Sequence, residues 1–466
     1  MRWVSHSSTS LPVKAWRATV VALSRAVYLL VCYGLSHPLL LKMVFACLRR
    51  IRPIAIVGGN VIVTKHDDVK EVLQRFDDFT LAEYTQSKML GGSFLLSIDW
   101  REQHTREREL LKSVVRPAHD IRWIRTLAEH ECEALISGAG QNADGRCEID
   151  VAGELAEGVA LKIVSTYFGV TAVPAGDFEM ARLLRRLAAL ILLEPPDGTK
   201  EWFASRKAIL DLTDHLAHLI KTRSAQVSHC AIASPPGDDL LTRLVVRMHV
   251  DADRPPWFTE DWIRRYLTGL AVFGNATISQ TVAHSLDQLL ARPHALSRAK
   301  QAAGRLAAST PSTSRSRADD VRDDCTEKEA VCGMQQLIYE ALRFRPMLPL
   351  LARYSPRETT LAKGTTRQRR IPAGARVIAG PLAAMFDPEV FERPWHFSSA
   401  RPLKDYLHFG DGPHVCVGKY VADTQIIEIV RAVLLLNDLR RAPGRRGRVQ
   451  YDGPAVDSLH LTFAPR

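Results

Sequence analysis

The sequence predicts a mainly α fold of the α+β class: one large helix-rich domain with small flanking β-sheets. Two observations carry that prediction. Apolar residues recur at helical spacing through long central stretches, at 121–169, 178–221 and 261–291. Short apolar runs punctuated by glycine and proline lie on either side, at 53–64 and 348–380. Length alone would suggest about three domains. The continuity of the helical pattern and the lack of an internal repeat favour a single one over 51–466, preceded by an N-terminal apolar helical segment at 1–50.

Within 1–50, the apolar run 26–41 is bounded by Arg25 and Lys42 and interrupted by His37-Pro38. A spanning helix needs about 20 consecutive apolar residues. The run therefore reads as one or two helices lying on the protein or on a membrane surface. Next, 53–64 reads as two short strands joined by Gly58-Gly59-Asn60, and Asp67-Asp68 as the cap of a helix through Leu73 and Phe76. After Gly91-Gly92 a long helix starts near Asp99 and carries His104 and Arg108. Helical patterns then dominate 121–169 and 178–221, the second broken at Glu194-Pro195-Pro196.

A Ser/Pro-rich loop at 228–237 leads into a helix capped by Asp238-Asp239, and 261–291 is the longest periodic helix. The Ser/Thr/Arg/Asp-rich stretch 309–324 reads as a solvated loop, 327–344 as a helix. Strands are expected at 348–354, 370–371 and 375–380, the last two joined by Pro372-Ala373-Gly374. An apolar-periodic helix covers 420–436.

Eight cysteines, at positions 32, 47, 132, 147, 230, 325, 332 and 416, form no C-x-x-C pair and no framework. That pattern fits unpaired thiols in a reducing, cytoplasmic compartment. The net charge of +11 admits nucleic acid, an anionic membrane or an acidic protein as partner. No nucleic-acid module is visible and the cations read as dispersed, so an acidic electron-donor protein is the expected partner, with membrane contact confined to 1–50.

The most specific segment is Phe409-Gly-Asp-Gly412-Pro-His414-Val-Cys416-Val-Gly418, which runs directly into the last helix. Glycines at 412 and 418 permit backbone angles and a close approach that a Cβ would block. The N-terminal end of the helix favours a thiolate at Cys416. Phe409 can shield the sulfur, and His414 can reach an anionic group at the edge of a cofactor.

In residue types and spacing this segment resembles the haem-binding loop of the cytochrome P450 family, and the likeness extends over about 50–466. The resemblance implies haem b (iron protoporphyrin IX) with Cys416 on the iron. His104 and Arg108 sit at i and i+4 on one helix face, and with Arg353 and His414 they look like propionate ligands. Glu340-Ala-Leu-Arg343 resembles the family's buried Glu/Arg pair, with Arg401 as third member and Arg393 as competitor.

On the long helix, Phe273-Gly274-Asn275-Ala276-Thr277 aligns with the family's segment over the oxygen site. The resemblance gives Gly274 a helix bend and Thr277 a hydrogen bond to oxygen, with Asn275 as a substitute in the proton relay. Ala276 stands where the family usually has an acid, and Phe273 where it has a small residue.

The implied activity is a monooxygenase acting on an apolar or amphipathic small molecule, contacted by 88–96, 190–202, the long helix and 347–351. Nothing resembles a flavin- or nicotinamide-binding Gly-x-Gly-x-x-Gly turn, so electrons come from a separate ferredoxin and ferredoxin-reductase-type donor. Two alternatives stay open: a peroxygenase or hydroperoxide isomerase needing no reductase, and a non-catalytic haem protein.

Overall fold

The computed structural model describes residues 38–81, 92–193, 198–229, 237–309, 320–453 and 455–465. It opens with α1 (Pro38–Ile51), so the expected boundary at 50/51 falls in the last turn of a helix. A hairpin follows, β1 (Ile54–Val57) and β2 (Asn60–Val63), turned by Gly58 and Gly59 at φ +54° and +81°, angles that glycine tolerates without a Cβ penalty. In α2 (His66–Gln74), Lys65 is the N-cap. Asp67 and Asp68 lie in the first turn, complementing the helix dipole rather than capping as expected.

The helix carrying His104 is α3 (Arg101–Ser113), followed by α4 (Pro117–Ser137) with proline in its first turn. The helical stretch expected over 121–169 is divided. Chain reversal around Gly138, Gly140 and Gly145 admits a strand, β3 (Cys147–Asp150), before a π-helical turn (Val151–Ala156) and α5 (Glu157–Thr166). Then come α6 (Asp177–Leu193), α7 (Lys200–His229) and α8 (Leu240–Val250), the last capped by Asp239 accepting from Thr242 N–H at 2.8 Å. The expected break at Glu194-Pro195-Pro196 lies outside the described residues.

The 31-residue α9 (Glu260–Leu290) is capped by Thr259 and has Glu260 and Asp261 in its first turn. It is apolar on nearly every face because it runs through two cores. Its first half packs with α6, α7 and α8, and its second half with α10 (Pro293–Ser309) and α11 (Asp320–Phe344). Residues 320–324, expected in a loop, already belong to α11; 310–319 are outside the described residues.

The C-terminal part holds β4 (Leu351–Tyr354), β5 (Thr359–Leu361), β6 (Arg369–Ile371), β7 (Arg376–Ala379) and the short α12 (Pro381–Ala384). The expected hairpin of β6 with β7 does not form. β6 pairs with β5, while β7 enters the sheet β1-β2-β7-β4, parallel to β2 and antiparallel to β4. After α13 (Lys419–Leu434) come β8 (Arg440–Arg441), β9 (Gln450–Asp452), β10 (Ala455–Ser458) and β11 (His460–Phe463). β11 lies between β3 and β8, a pairing absent from the sequence reading.

Candidate active site

Cys416 lies between a single 3-10 turn (Gly412–His414) and the start of α13. Its N–H donates to Phe409 O at 3.0 Å. Gly412 has φ +70°, and a Cβ there would meet Leu73 O at 2.5 Å. Conformation and space both demand glycine. Gly418 differs from expectation: its φ is −88°, nothing lies within 4 Å of a Cβ position, and it serves as the N-cap of α13. The Phe409 ring packs against Tyr339, with Lys419 Nζ 5.6 Å from its centroid.

Burial is the main influence on Cys416 and pushes its thiol up; the Gly418 backbone, Arg108 and Lys419 pull it down. The residue is nonetheless exposed.

α3, β4 and the cysteine loop bring four basic side chains together. The rings of His104 and His414 lie 4.8 Å apart, and Phe76 stacks on His414 at 4.9 Å. Arg108 donates to Pro413 O and Val415 O at 3.2 and 2.9 Å, pinning the loop from α3. Arg353 is buried on β4, near enough for its charge to act on His414.

Burial, then the charge of Arg108, holds His104 at about 4. Burial, then the charges of Arg353 and His104, holds His414 at about 2. His104 Nε2 is buried without a hydrogen-bond partner. The nearby carboxylate of Glu107 is already committed, accepting from Gln103, Trp262 and Tyr266 at 2.7, 2.9 and 2.6 Å. Such a set is suited to an anionic group, and it sits beside a cysteine poised to ligate iron. The residues fit haem.

On α9, Phe273, Gly274, Ala276, Thr277 and Gln280 are half-buried, whereas Asn275 and Ile278 are fully buried on the other side. Thr277 donates its hydroxyl to Phe273 O at 2.7 Å. The α-helix runs unbroken through Gly274, and a Cβ there would meet the Phe168 ring at 2.9 Å, so close packing against Phe168 favours glycine at this position. Asn275 lies toward Glu157, without a well-formed hydrogen bond on either amide atom. Helix phase thus turns it away from Thr277. Phe94 and Phe273 stack with centroids 6.4 Å apart. Of the substrate stretches expected, 88–91 and 194–197 are outside the described residues.

Glu340 and Arg343 are fully buried and form a two-pronged pair at 2.9 and 2.7 Å. Arg343 also donates to Met385 O, Pro394 O and His396 O, while Glu340 accepts from Ser398 N–H and Tyr406 O–H, each at 2.8 Å. Arg401 approaches Glu340 at 3.6 Å, whereas Arg393 is exposed and pairs with Glu392. Sequence reasoning missed Tyr406 and the Glu107–Trp262–Tyr266 cluster. Their partners are remote in sequence and no local motif marks them.

Comparison with known proteins agrees with this geometry. The Cytochrome P450 family profile matches residues 58–444, and the chain belongs to that family. Its cofactor is haem b, and it is an oxidoreductase of that class. A putative cytochrome P450, YjiB of Bacillus subtilis, is 22% identical over 81% of this chain and 82% of its own length. A bifunctional dioxygenase–epoxy alcohol synthase of Fusarium oxysporum is 23% identical over 77% of this chain, but only 27% of that longer protein is covered. A linoleate diol synthase of Gaeumannomyces graminis is 34% identical over 18% of this chain and 7% of its own length. Among solved structures, P450BioI with an acyl-carrier-protein ligand superposes with TM-score 0.70 at 18% identity, covering 92% of this chain and 99% of that one.

Proposed function

We propose that the chain is a monooxygenase that inserts one oxygen atom from O2 into an apolar or amphipathic small molecule. Electrons would come from a separate ferredoxin-type donor, met by the exposed Lys404 and Lys419 flanking the cysteine loop. One observation carries the reading: Arg108, His104 and His414 gather at the loop that carries Cys416. Haem ligated by a thiolate supplies oxygen activation, with electron density from sulfur favouring O–O cleavage. Arg108 and Arg353 as cations, and His104 and His414 as neutral N–H donors, would hold its anionic edge. Thr277 offers a hydroxyl that can exchange Phe273 O for oxygen, and Phe94 with Phe273 keep the space above apolar. The five described free cysteines support a reducing, cytoplasmic setting.

Ala276 favours a second reading. A carboxylate beside Thr277 would relay protons; without one, a substrate that already carries a peroxide bond places less demand on proton delivery. The names of the two fungal relatives lend this reading support. Product formation with a surrogate ferredoxin system, set against hydrogen peroxide or a fatty-acid hydroperoxide alone, separates the two. Turnover in neither, with tight ligand-induced spectral change, would leave a non-catalytic haem protein.

A further inference from the structure

α1 is apolar on both faces: Leu41, Phe45 and Leu48 pack inward against Phe344, Leu382 and Phe386, and a second apolar stripe faces outward. Its inward face buries Lys42 and Arg49, 7% and 8% exposed, alongside Phe45. Lys42 donates to Phe344 O at 3.1 Å and Arg49 to Ala383 O at 2.7 Å. The outward face presents Leu39, Leu40, Met43, Val44 and Ile51 at 45–77% exposure. A helix in water confines its apolar residues to the inward face and turns its cations out; α1 carries apolar residues on both faces and buries two cations. The stripe continues into Ile56 and Val57 of β1, also exposed.

At the end of the stripe lies an open hollow of about 690 Å³, lined by Arg49, Arg50, Lys65, Arg367 and Arg369 with Glu389 as its acid. Lys65 and Arg367 are paired with carboxylates, and Arg49 with a carbonyl. Arg50 and Arg369 have no carboxylate partner among the described residues. Residues 1–66 hold nine Lys/Arg, no denser than in the rest of the chain, but not one Asp or Glu, so most of the net positive charge falls there while the rest of the chain is nearly neutral.

We infer that this face docks on an anionic bilayer. The stripe of α1 and the tip of β1 enter the interfacial layer, and a lipid headgroup phosphate seats in the hollow at Arg50 and Arg369. Charge selects this occupant. A second copy of the chain would bring the same cations face to face, and residues 1–37 carry four cations and no acid with which to neutralise the hollow. In sequence, the apolar run 26–41 is continuous with the first residues of the exposed stripe. The inference rests on nothing in the haem site, and its failure would leave the catalytic reading untouched.

The test is flotation of the full-length, haem-loaded chain with phosphatidylcholine vesicles, with and without phosphatidylglycerol, at low and high salt. Binding should require phosphatidylglycerol and weaken with salt. The doubles Met43→Ser/Val44→Ser and Arg50→Glu/Arg369→Glu should each lower the bound fraction, with roughly fivefold lost per cation removed, at unchanged haem content. A polarity-sensitive label on Cys47, on the same helix face, should shift blue on the vesicles when the other cysteines except the haem-site Cys416 are replaced. Four results would overturn the proposal: equal binding to both vesicle types; wild-type binding by both doubles; a wild-type dimer that the Met43/Val44 double dissociates; or displacement by inorganic phosphate at matched ionic strength.

Discussion

Tyr266 donates its hydroxyl to Glu107 at 2.6 Å, and Trp262, stacked on Tyr266 at 3.8 Å, donates to the same carboxylate oxygen. One buried acid thereby fixes α9 against the helix that carries His104 and Arg108. Glu107→Ala should leave both donors unsatisfied, costing about 1–3 kcal/mol for each. Urea denaturation should show the loss, while Tyr266→Phe should lose only about 1 kcal/mol. Wild-type stability in Glu107→Ala would mean that water fills the gap without cost.

Cys416 is the expected iron ligand. The reduced carbon-monoxide complex should have the red-shifted Soret band of thiolate ligation, and Cys416→His or Cys416→Ala should abolish it. Persistence of the band in Cys416→Ala would sink the assignment.

Glu340→Ala strands Arg343 as a buried charge without its carboxylate, at roughly 3–5 kcal/mol. The variant should emerge insoluble or haem-poor when pyridine haemochrome is measured per protein. Full haem loading would place the pair outside the folding core.

Ala276→Asp tests the proton supply. If the chain activates O2 with a weakened relay, the ratio of product to reducing equivalents should rise on the order of tenfold, with less hydrogen peroxide released. If it handles peroxides, reductase-driven turnover should stay negligible and peroxide-driven turnover should fall, because a charge enters an apolar site. High coupling in wild type, unchanged in the variant, contradicts both.

Lys42 gives a pH dependence. Burial, then the charges of Arg292, Arg343 and Arg345, lowers it from 10.5 to about 8. Between those values the unfolded chain binds more protons than the folded one, so stability gains as pH rises through that window and is lost as pH falls through the lower value. In urea melts at pH 7.5 and 9.5, wild type should gain on Lys42→Met at the higher pH. No change in the gap would show that Lys42 is solvated.

Local signals proved legible and remote ones did not. The cysteine loop could be read because Gly412, His414 and Cys416 lie within five positions, and α9 because its apolar period and first-turn acids are continuous. β3 and β8–β11 are two to four residues long and owe their existence to each other, across more than 300 positions in the case of β3 and β11. Asn275 was misjudged although helix phase already sets it on the far side from Thr277. The absence of acids from 1–66 was there to be counted.

Gln74 donates to Asp411 at 3.0 Å across 337 residues, and Gly412 lies against the last turn of α2 beside that bond. The cysteine loop therefore takes its shape from a surface made near the other end of the chain. During synthesis that surface is made more than 300 residues before the loop, which finds its mould only once both have left the ribosome. Cofactor capture thus waits on two distant segments, and a truncation that removes either should yield apoprotein rather than a smaller working enzyme.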